Sequence, residues 1–302
     1  MDYKVANDLL ALVNSLIDGK FFFISKIRNN MFTLVKVLDN GMNLQLNDGD
    51  TLSTSDSYCQ QIVNMKESWV IDEAQTHPFT SKLALTKEYN IQSYVGVPVF
   101  YKDGGLYGTI CALDTEKSKF TDKEVDILTR FSNLYTSVVE LEKRVKYDKL
   151  TTLHNRDFLY DNFEKLFHKG SLLLLDLDGF KEVNDQYGHE VGDLVLREVG
   201  ERIRNFVGLD GAGFRLGGDE FVTIFPDVTE KNVIEDKATS LLKILADWED
   251  FHYEIGISAS IGISLFPIDG SSISQLLKKA DIAMYQAKQM GKNAFRMYRA
   301  SA

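Results

Sequence analysis

The chain has 302 residues, about twice the commonest domain size, which predicts two compact cores. Its 44% hydrophobic and 26% charged residues belong to a folded globular protein and exclude a disordered, collagenous or disulfide-stapled chain. Lys and Arg number 34 against 44 Asp and Glu, a net charge of −10, so neither nucleic acid nor a membrane surface is expected as a partner. A phosphate-bearing ligand would have to be held by local groups or metal ions. Two cysteines, Cys59 and Cys111, are too few for a disulfide framework and lack zinc-site spacing, which fits a reducing, cytoplasmic setting. The N-terminus has no basic stretch followed by an unbroken apolar core, and no apolar run reaches the ~20 residues of a membrane span. Neither a signal peptide nor a membrane helix is expected.

In chain order, Val5, Leu9, Leu12, Val13 and Leu16 fall at helical spacing over 4–17, with Gly19 as the stop. Strand-sized segments follow at 21–27, 31–39, 69–74, 93–101 and 105–114, separated by Asn, Gly and Asp turn signals, with a helix over 57–67. The tract YKDGGLYG at 101–108 reads as a hairpin. Together these predict an antiparallel sheet carrying helices. From Thr121 to about Lys149 there is no Pro or Gly, and Ile127, Phe131, Leu134, Val138, Leu141 and Val145 alternate steps of four and three, a heptad seam. The first half of that helix suits packing on its own domain equally well. Beyond Val139 the charged flanks favour pairing with a second chain, so the helix is expected to serve as connector and dimerisation element.

The second half alternates helices and strands: a helix over 155–168, a strand over 171–178, a helix from about Gly188 to Phe206, and a hairpin over 214–226. A helix from about Thr229 to Trp248, a strand over 257–267, a helix over 273–289 and a short strand AFRMY complete it. This predicts a mixed sheet covered by helices, so the fold class of the whole chain is α+β in two domains.

Two acidic spots carry the chemistry. The strand LLLLDLD ends in Asp176 and Asp178. Read as alternating faces, these two are expected to point apart unless the strand ends between them, leaving one as ligand candidate and the other in the turn. Gly179, Phe180 and Lys181 then open a short helix whose first N–H groups suit phosphate oxygens. The second spot is Gly217-Gly218-Asp219-Glu220-Phe221, a Gly-Gly turn with two adjacent acids that repel each other unless a cation sits there. Each spot alone also fits an ordinary helix cap or a solvated hairpin tip. Together, acids at the ends of neighbouring strands form a hard-oxygen site for Mg2+ or Mn2+, and with no GxxxxGK[ST] loop they point to two-metal nucleotidyl transfer.

These stretches resemble the GGDEF family of diguanylate cyclases. The residues that carry the resemblance are GGDEF at 217–221, DLDGFKEVNDQYGHEVGDLVLREVGERI from Asp176 to Ile203, ISASIGISLFP, and ADIAMYQAKQMGKN from Ala280 to Asn293. The resemblance runs from Asp148 almost to the C-terminus. It implies a palm-like domain over 146–302 that condenses two GTP into cyclic di-GMP and two pyrophosphates across a homodimer. It further implies that Asp176, the backbone carbonyl of Leu177 and Asp219 hold two Mg2+ or Mn2+ ions. Glu220 would assist at the metals or in activating the 3′-hydroxyl, which makes Asp219 and Glu220 the catalytic pair. Asn184 and Asp193 would read the guanine edge, and His189 would lie beside the nucleotide. Gly179, Phe180, Lys181, Lys288 and Lys292 would line the phosphates. A carboxylate at Asp193 suits guanine, whose N1–H and N2–H₂ are both donors.

Two departures from the family stand out. Thr152 occupies the Gly position of the opening motif LTGLxNR, so a slightly altered linker turn is expected. At the family's inhibitory RxxD motif the chain reads Gly208-Leu209-Asp210-Gly211, so no inhibitory site and little product feedback are expected. The N-terminal half resembles a GAF domain through SYVGVPVFYKDGGLYGTICALD followed by KFTDKEVDILTRFSN, which implies a sensor over 1–145 that includes the start of the connector helix (about 121–149) and either takes an unidentified small ligand or acts only as a dimerisation element without one. Neither cysteine precedes a His as in bilin-attaching members, and both are expected in the core. His77, before Pro78, is expected at the surface rather than as a ligand. The alternative to an enzyme is a catalytically silent GTP-binding module acting through protein contacts.

Overall fold

A computed structural model describes residues 3–17 and 20–299. The expected stop at Gly19 lies outside them. The chain divides between Glu142 and Lys143 into two compact units.

The first unit contains α1 (Tyr3–Asn14), β1 (Phe21–Arg28), β2 (Met31–Leu38), β3 (Thr51–Ser53), α2 (Cys59–Met65), β4 (Trp69–Ile71), α3 (Ala84–Glu88), β5 (Ser93–Phe100), β6 (Leu106–Asp114) and most of α4 (Asp122–Lys146). Its six strands form one antiparallel sheet in the order β3-β2-β1-β6-β5-β4. The alternation of side chains along β1 sets the two faces. Phe22 and Ile24 join Leu10 and Val13 of α1 and Leu128 and Tyr135 of α4 in one core. Phe21 and Phe23 join Tyr58, Cys59 and Ile62 in the other. The sheet is therefore buried on both sides. His77 is half-buried rather than at the surface: Nδ1 accepts from Phe79 N at 3.3 Å and the ring packs edge-on to Trp69. That turns it into a cap for the loop following Pro78.

Helix α4 opens on a capping box in which the Glu124 carboxylate accepts from Thr121 N at 2.7 Å and Thr121 Oγ1 accepts from Glu124 N at 3.4 Å. It stops at Lys146, short of the expected Lys149, because Asn155 Nδ2 donates to the carbonyl of Val145 at 2.9 Å and more weakly to that of Arg144. The heptad seam divides. Ile127, Phe131 and Val138 pack on the core of the first unit, where the 3.6-residue stripe Leu128, Phe131, Tyr135, Val139 forms the contact. Leu134, Leu141 and Val145 remain 60%, 60% and 65% exposed.

The second unit contains β7 (His154–Asn155), α5 (Arg156–Leu166), β8 (Gly170–Asp178), α6 (Phe180–Tyr187), α7 (His189–Val207), β9 (Ala212–Gly217), β10 (Glu220–Pro226), α8 (Lys231–Ala246), β11 (Ser258–Phe266), α9 (Ile273–Gln289) and β12 (Ala294–Met297). Its mixed sheet runs β12-β11-β8-β10-β9-β7, antiparallel except at the parallel pairs β11/β12 and β7/β9. Strand β8 is in the middle. Leu173, Leu175 and Leu177 face the core shared with α6, α7 and α8, whereas Leu172 and Leu174 face that shared with α5 and α9.

The expectation that Asp176 and Asp178 point apart is corrected here. The strand continues through Asp178, and residues two apart on a strand share a face, so both acids lie on the Leu172 and Leu174 side. Their roles still separate, because only Asp178 is enclosed: it is 6% exposed and its carboxylate accepts from Ser258 Oγ, Ser260 Oγ and Asn293 N at 3.0–3.1 Å.

Candidate active site

The register of the central strands brings the two acidic spots together. Glu220, the first residue of β10, pairs with Asp176 of β8, and Leu177 N donates to Asp219 O at 3.3 Å. The tip between β9 and β10 turns through Gly217 and Gly218 at φ 146° and 53°, which glycine adopts without steric cost. Arg215 fastens it, donating through Nη2 to Gly218 O at 2.7 Å and through Nη1 to Asp148 Oδ1 at 3.1 Å. Burial pushes the Asp148 carboxyl up, but the N–H and hydroxyl of Thr151 and the guanidinium of Arg215 outweigh it and hold it below the ordinary range.

Lys288, from the last turns of α9, sets its Nζ 2.6 Å from Asp176 Oδ1. Burial pushes the Asp176 carboxyl above its ordinary range, the neighbouring Asp219 and Asp178 add to this, and Lys288 draws it partly back. Glu220 is raised likewise, by burial and then by Asp176, Asp219 and Asp281, again opposed by Lys288. Asp281 escapes a sequence reading because it lies 61 positions after Glu220 and meets it only through the packing of α9 on β8 and β11. Its signal is the seven-residue step from Asp281 to Lys288, two turns along one helix face.

The donor chemistry suits a divalent cation. Hard carboxylate oxygens converge, Asp176 and Glu220 are made costlier to ionise by burial and their acidic neighbours, and the cation now among them is a lysine ammonium. Among the described residues no three His, Cys, Asp or Glu side chains close into a ready cage. Mg2+ does not require one, since it usually keeps several waters and takes its remaining oxygens from substrate phosphates.

Beside the acids, Gly179 starts α6 at φ 84°, and a Cβ there would lie 2.7 Å from Gly256 O, so only glycine fits between β8 and that carbonyl. Phe180 is buried in the core and Lys181 is exposed. The half-buried Asn184 lies against the first turns of α7: its Oδ1 is 2.0 Å from where a Cβ on Gly192 would stand. Gly192 is a second residue that sequence reasoning missed; it is the absence of its side chain that lets Asn184 approach the helix carrying Asp193. His189 and Asp193, four apart on α7, share a face and are both exposed. Lys292 is exposed and sits with Asn293 in a left-handed turn, φ 64° and 45°, held by the Asn293 N–H bond to Asp178.

The two departures have local causes. Thr152 is at φ 57°, the conformation that a glycine at this position would adopt freely. Gly208 is at φ 53°, and a Cβ on Gly211 would lie 2.8 Å from Ile224 O and 2.9 Å from the Phe225 ring, so both ends of the missing RxxD motif are built for glycine.

Residues 145–294 match the family model described as diguanylate cyclase, GGDEF domain, and residues 5–137 match that of the GAF domain. Among curated proteins, the bifunctional diguanylate cyclase/cyclic di-GMP phosphodiesterase MucR of Pseudomonas aeruginosa is 41% identical over 184 residues, 57% of this chain and 27% of MucR. Diguanylate cyclase DgcP of Escherichia coli is 25% identical over 312 residues, 95% of this chain and 90% of DgcP. The chain thus spans about a quarter of MucR and nearly all of DgcP. Among solved structures, the coiled coil and GGDEF domain of DgcB from Caulobacter crescentus, in complex with c-di-GMP, covers 59% of this chain and 97% of its own, with 25% identity and a TM-score of 0.51. Residues 145–294 make the chain a member of the GGDEF diguanylate cyclase family, and residues 5–137 place a GAF domain ahead of it.

Proposed function

We propose that this protein is a diguanylate cyclase that condenses two GTP into cyclic di-GMP with release of two pyrophosphates, its GGDEF domain over 146–302 governed by a GAF sensor over 1–145. The observation that carries this reading is the convergence of Asp176, Asp219 and Glu220, with Lys288 paired to Asp176, at the end of β8 and the tip of the β9/β10 hairpin. Asp176, the carbonyl of Leu177, Asp219 and Glu220 would hold two Mg2+ or Mn2+ ions. When bound, such ions neutralise triphosphate charge and lower the pKa of a coordinated hydroxyl.

This chain's own groups do the rest. Asn184 and Asp193 accept from the guanine edge, with His189 alongside. The N–H groups at Gly179, Phe180 and Lys181 and the ammonium groups of Lys288 and Lys292 hold the phosphates. Because Lys288 is paired with Asp176 before substrate arrives, phosphate binding exchanges one anionic partner for another. Glu220 takes the proton of the 3′-hydroxyl as its oxygen bonds to the α-phosphorus of the second GTP and pyrophosphate departs. Each GGDEF domain holds one GTP, so a homodimer is the working unit.

The test is incubation with GTP and Mg2+ followed by chromatography of the products. The wild type is expected to yield cyclic di-GMP, and Asp219→Ala and Glu220→Ala to lose at least ~100-fold in rate. Absence of any cyclic dinucleotide from the dimeric wild type would replace this reading with that of a silent GTP-binding module.

A further inference from the structure

Two cysteines far apart in the sequence meet inside the GAF domain. Cys59 is the first residue of α2 and Cys111 lies on β6; they are 1% and 0% exposed. The Thr109 hydroxyl lies 3.4 Å from Cys59 Sγ and 3.2 Å from Cys111 Sγ, bridging the pair, and Tyr94 OH is 3.1 Å from Cys111 Sγ. Two buried sulfurs that share one hydroxyl, one on a short helix and one on the sheet beneath it, are neighbours that a shift of the short helix would bring to bonding distance.

The two are not equivalent. Cys59 lines an apolar cavity of about 30 Å3 with Tyr58, Leu34, Ile91 and Leu113, and Cys111 does not line it. The neighbouring Cys111 thiol, with the Thr109 and Tyr94 hydroxyls, draws the Cys59 thiol down against the effect of burial, whereas burial pushes Cys111 up. A cavity of that size admits a molecule little larger than water. It is far too small for a nucleotide.

We propose that Cys59 and Cys111 form a redox site whose oxidant is hydrogen peroxide, Cys59 reacting first and Cys111 resolving the product to an intramolecular disulfide. In the first step the Cys59 sulfur attacks one peroxide oxygen, the O–O bond breaks, and Cys59 sulfenic acid and one water result. In the second the Cys111 sulfur attacks the Cys59 sulfur, the S–O bond breaks, the S–S bond forms and a second water leaves. Two thiols and one peroxide give one disulfide and two waters. The site is independent of the nucleotide chemistry in the other domain.

The test uses the reduced full-length chain, exposed to hydrogen peroxide, quenched with catalase, unfolded in iodoacetamide and weighed intact. The wild type is expected to lose the mass of two hydrogen atoms and take up no alkyl group, and dithiothreitol to restore both thiols. With dimedone present, Cys111→Ala should carry one adduct, on Cys59, while Cys59→Ala should keep a fully alkylatable Cys111. Cumene hydroperoxide at equal concentration should oxidise the wild type at least about tenfold more slowly, because the cavity excludes it. Any of three results overturns the proposal: two alkylated thiols where free cysteine in the same tube is oxidised, a disulfide between chains, or equal rates with both peroxides. The last comparison needs no variant and decides the matter even where a substitution prevents folding.

Discussion

At the scale of single residues, two side chains show how far chemistry and conformation can be separated. Thr152 has a β-branched side chain at φ 57°, a left-handed conformation that costs a non-glycine residue roughly 1–2 kcal/mol. Its hydroxyl accepts from Arg204 Nη2, but that same nitrogen also donates to Thr151 O at 2.6 Å, so the arginine keeps an anchor without it. Thr152→Gly is therefore expected to stabilise the second unit by about 1 kcal/mol, a rise of about 2–4 °C in its melting transition. A lowered transition would show that the Arg204 bond outweighs the backbone strain. Glu220 illustrates the opposite case, a group whose ionisation opposes folding. Its carboxyl is raised in the folded chain, so between the ordinary and the raised pKa the folded state binds more protons than the unfolded one, and stability falls as pH rises through that window. Glu220→Gln, melted without divalent cations, should melt above the wild type at pH 7. The gap should close as the pH falls below the usual carboxylate range, about 4. A gap that persists at acid pH would assign the effect to packing instead. Asp176, Asp219 and Glu220 were legible as a cluster because acids beside glycines at strand ends are conspicuous in the sequence. Asp281 and the cysteine pair were not, since only tertiary packing brings them to their partners.

At the scale of elements, the long periodic segments were readable and several of the shortest were not. Strands β3 and β7 and helix α3 have two to five residues each, too few to establish any period. The seam of α4 divides for a different reason: over 25 residues a 3.5-residue repeat and a 3.6-residue repeat diverge by only a fraction of a turn, so one apolar set can serve an intramolecular face and an outer one at once. The pair α6 and α7 carries information that no periodicity contains. Gly192 is a helix-interior glycine, which intrinsic propensity disfavours by about 1 kcal/mol relative to alanine. Its position is explained by Asn184 Oδ1, which fills the space of the missing side chain. Gly192→Ala should accordingly leave the melting temperature unchanged or raise it, while displacing Asn184 and raising the KM for GTP about tenfold, the loss of one good hydrogen bond. Equal effects on stability and KM would mean that Gly192 serves the packing of α7 alone.

At the scale of the whole molecule, the proposed reaction imposes a requirement that one chain cannot meet. If each GGDEF domain presents one GTP, product forms only where two such domains meet, and rate must depend on chain concentration. The outer stripe of α4 offers the means, because Leu134, Leu141 and Val145 are at least 60% exposed on a helix whose other stripe is committed to its own core. Burying three such side chains between two copies would contribute several kcal/mol at about 1.5–3 kcal/mol each. The triple variant Leu134→Glu, Leu141→Glu, Val145→Glu removes that gain and places like charges opposite each other across a two-fold axis. None of the three contributes to the folded core, so the melting temperature of the dilute chain should hold. Specific activity should instead fall by about tenfold or more at micromolar concentration, and recover as the protein is concentrated, following the dimer fraction measured by analytical ultracentrifugation. Specific activity independent of concentration in a variant shown to be monomeric would contradict the encounter of two half-sites and, with it, the role assigned to this helix.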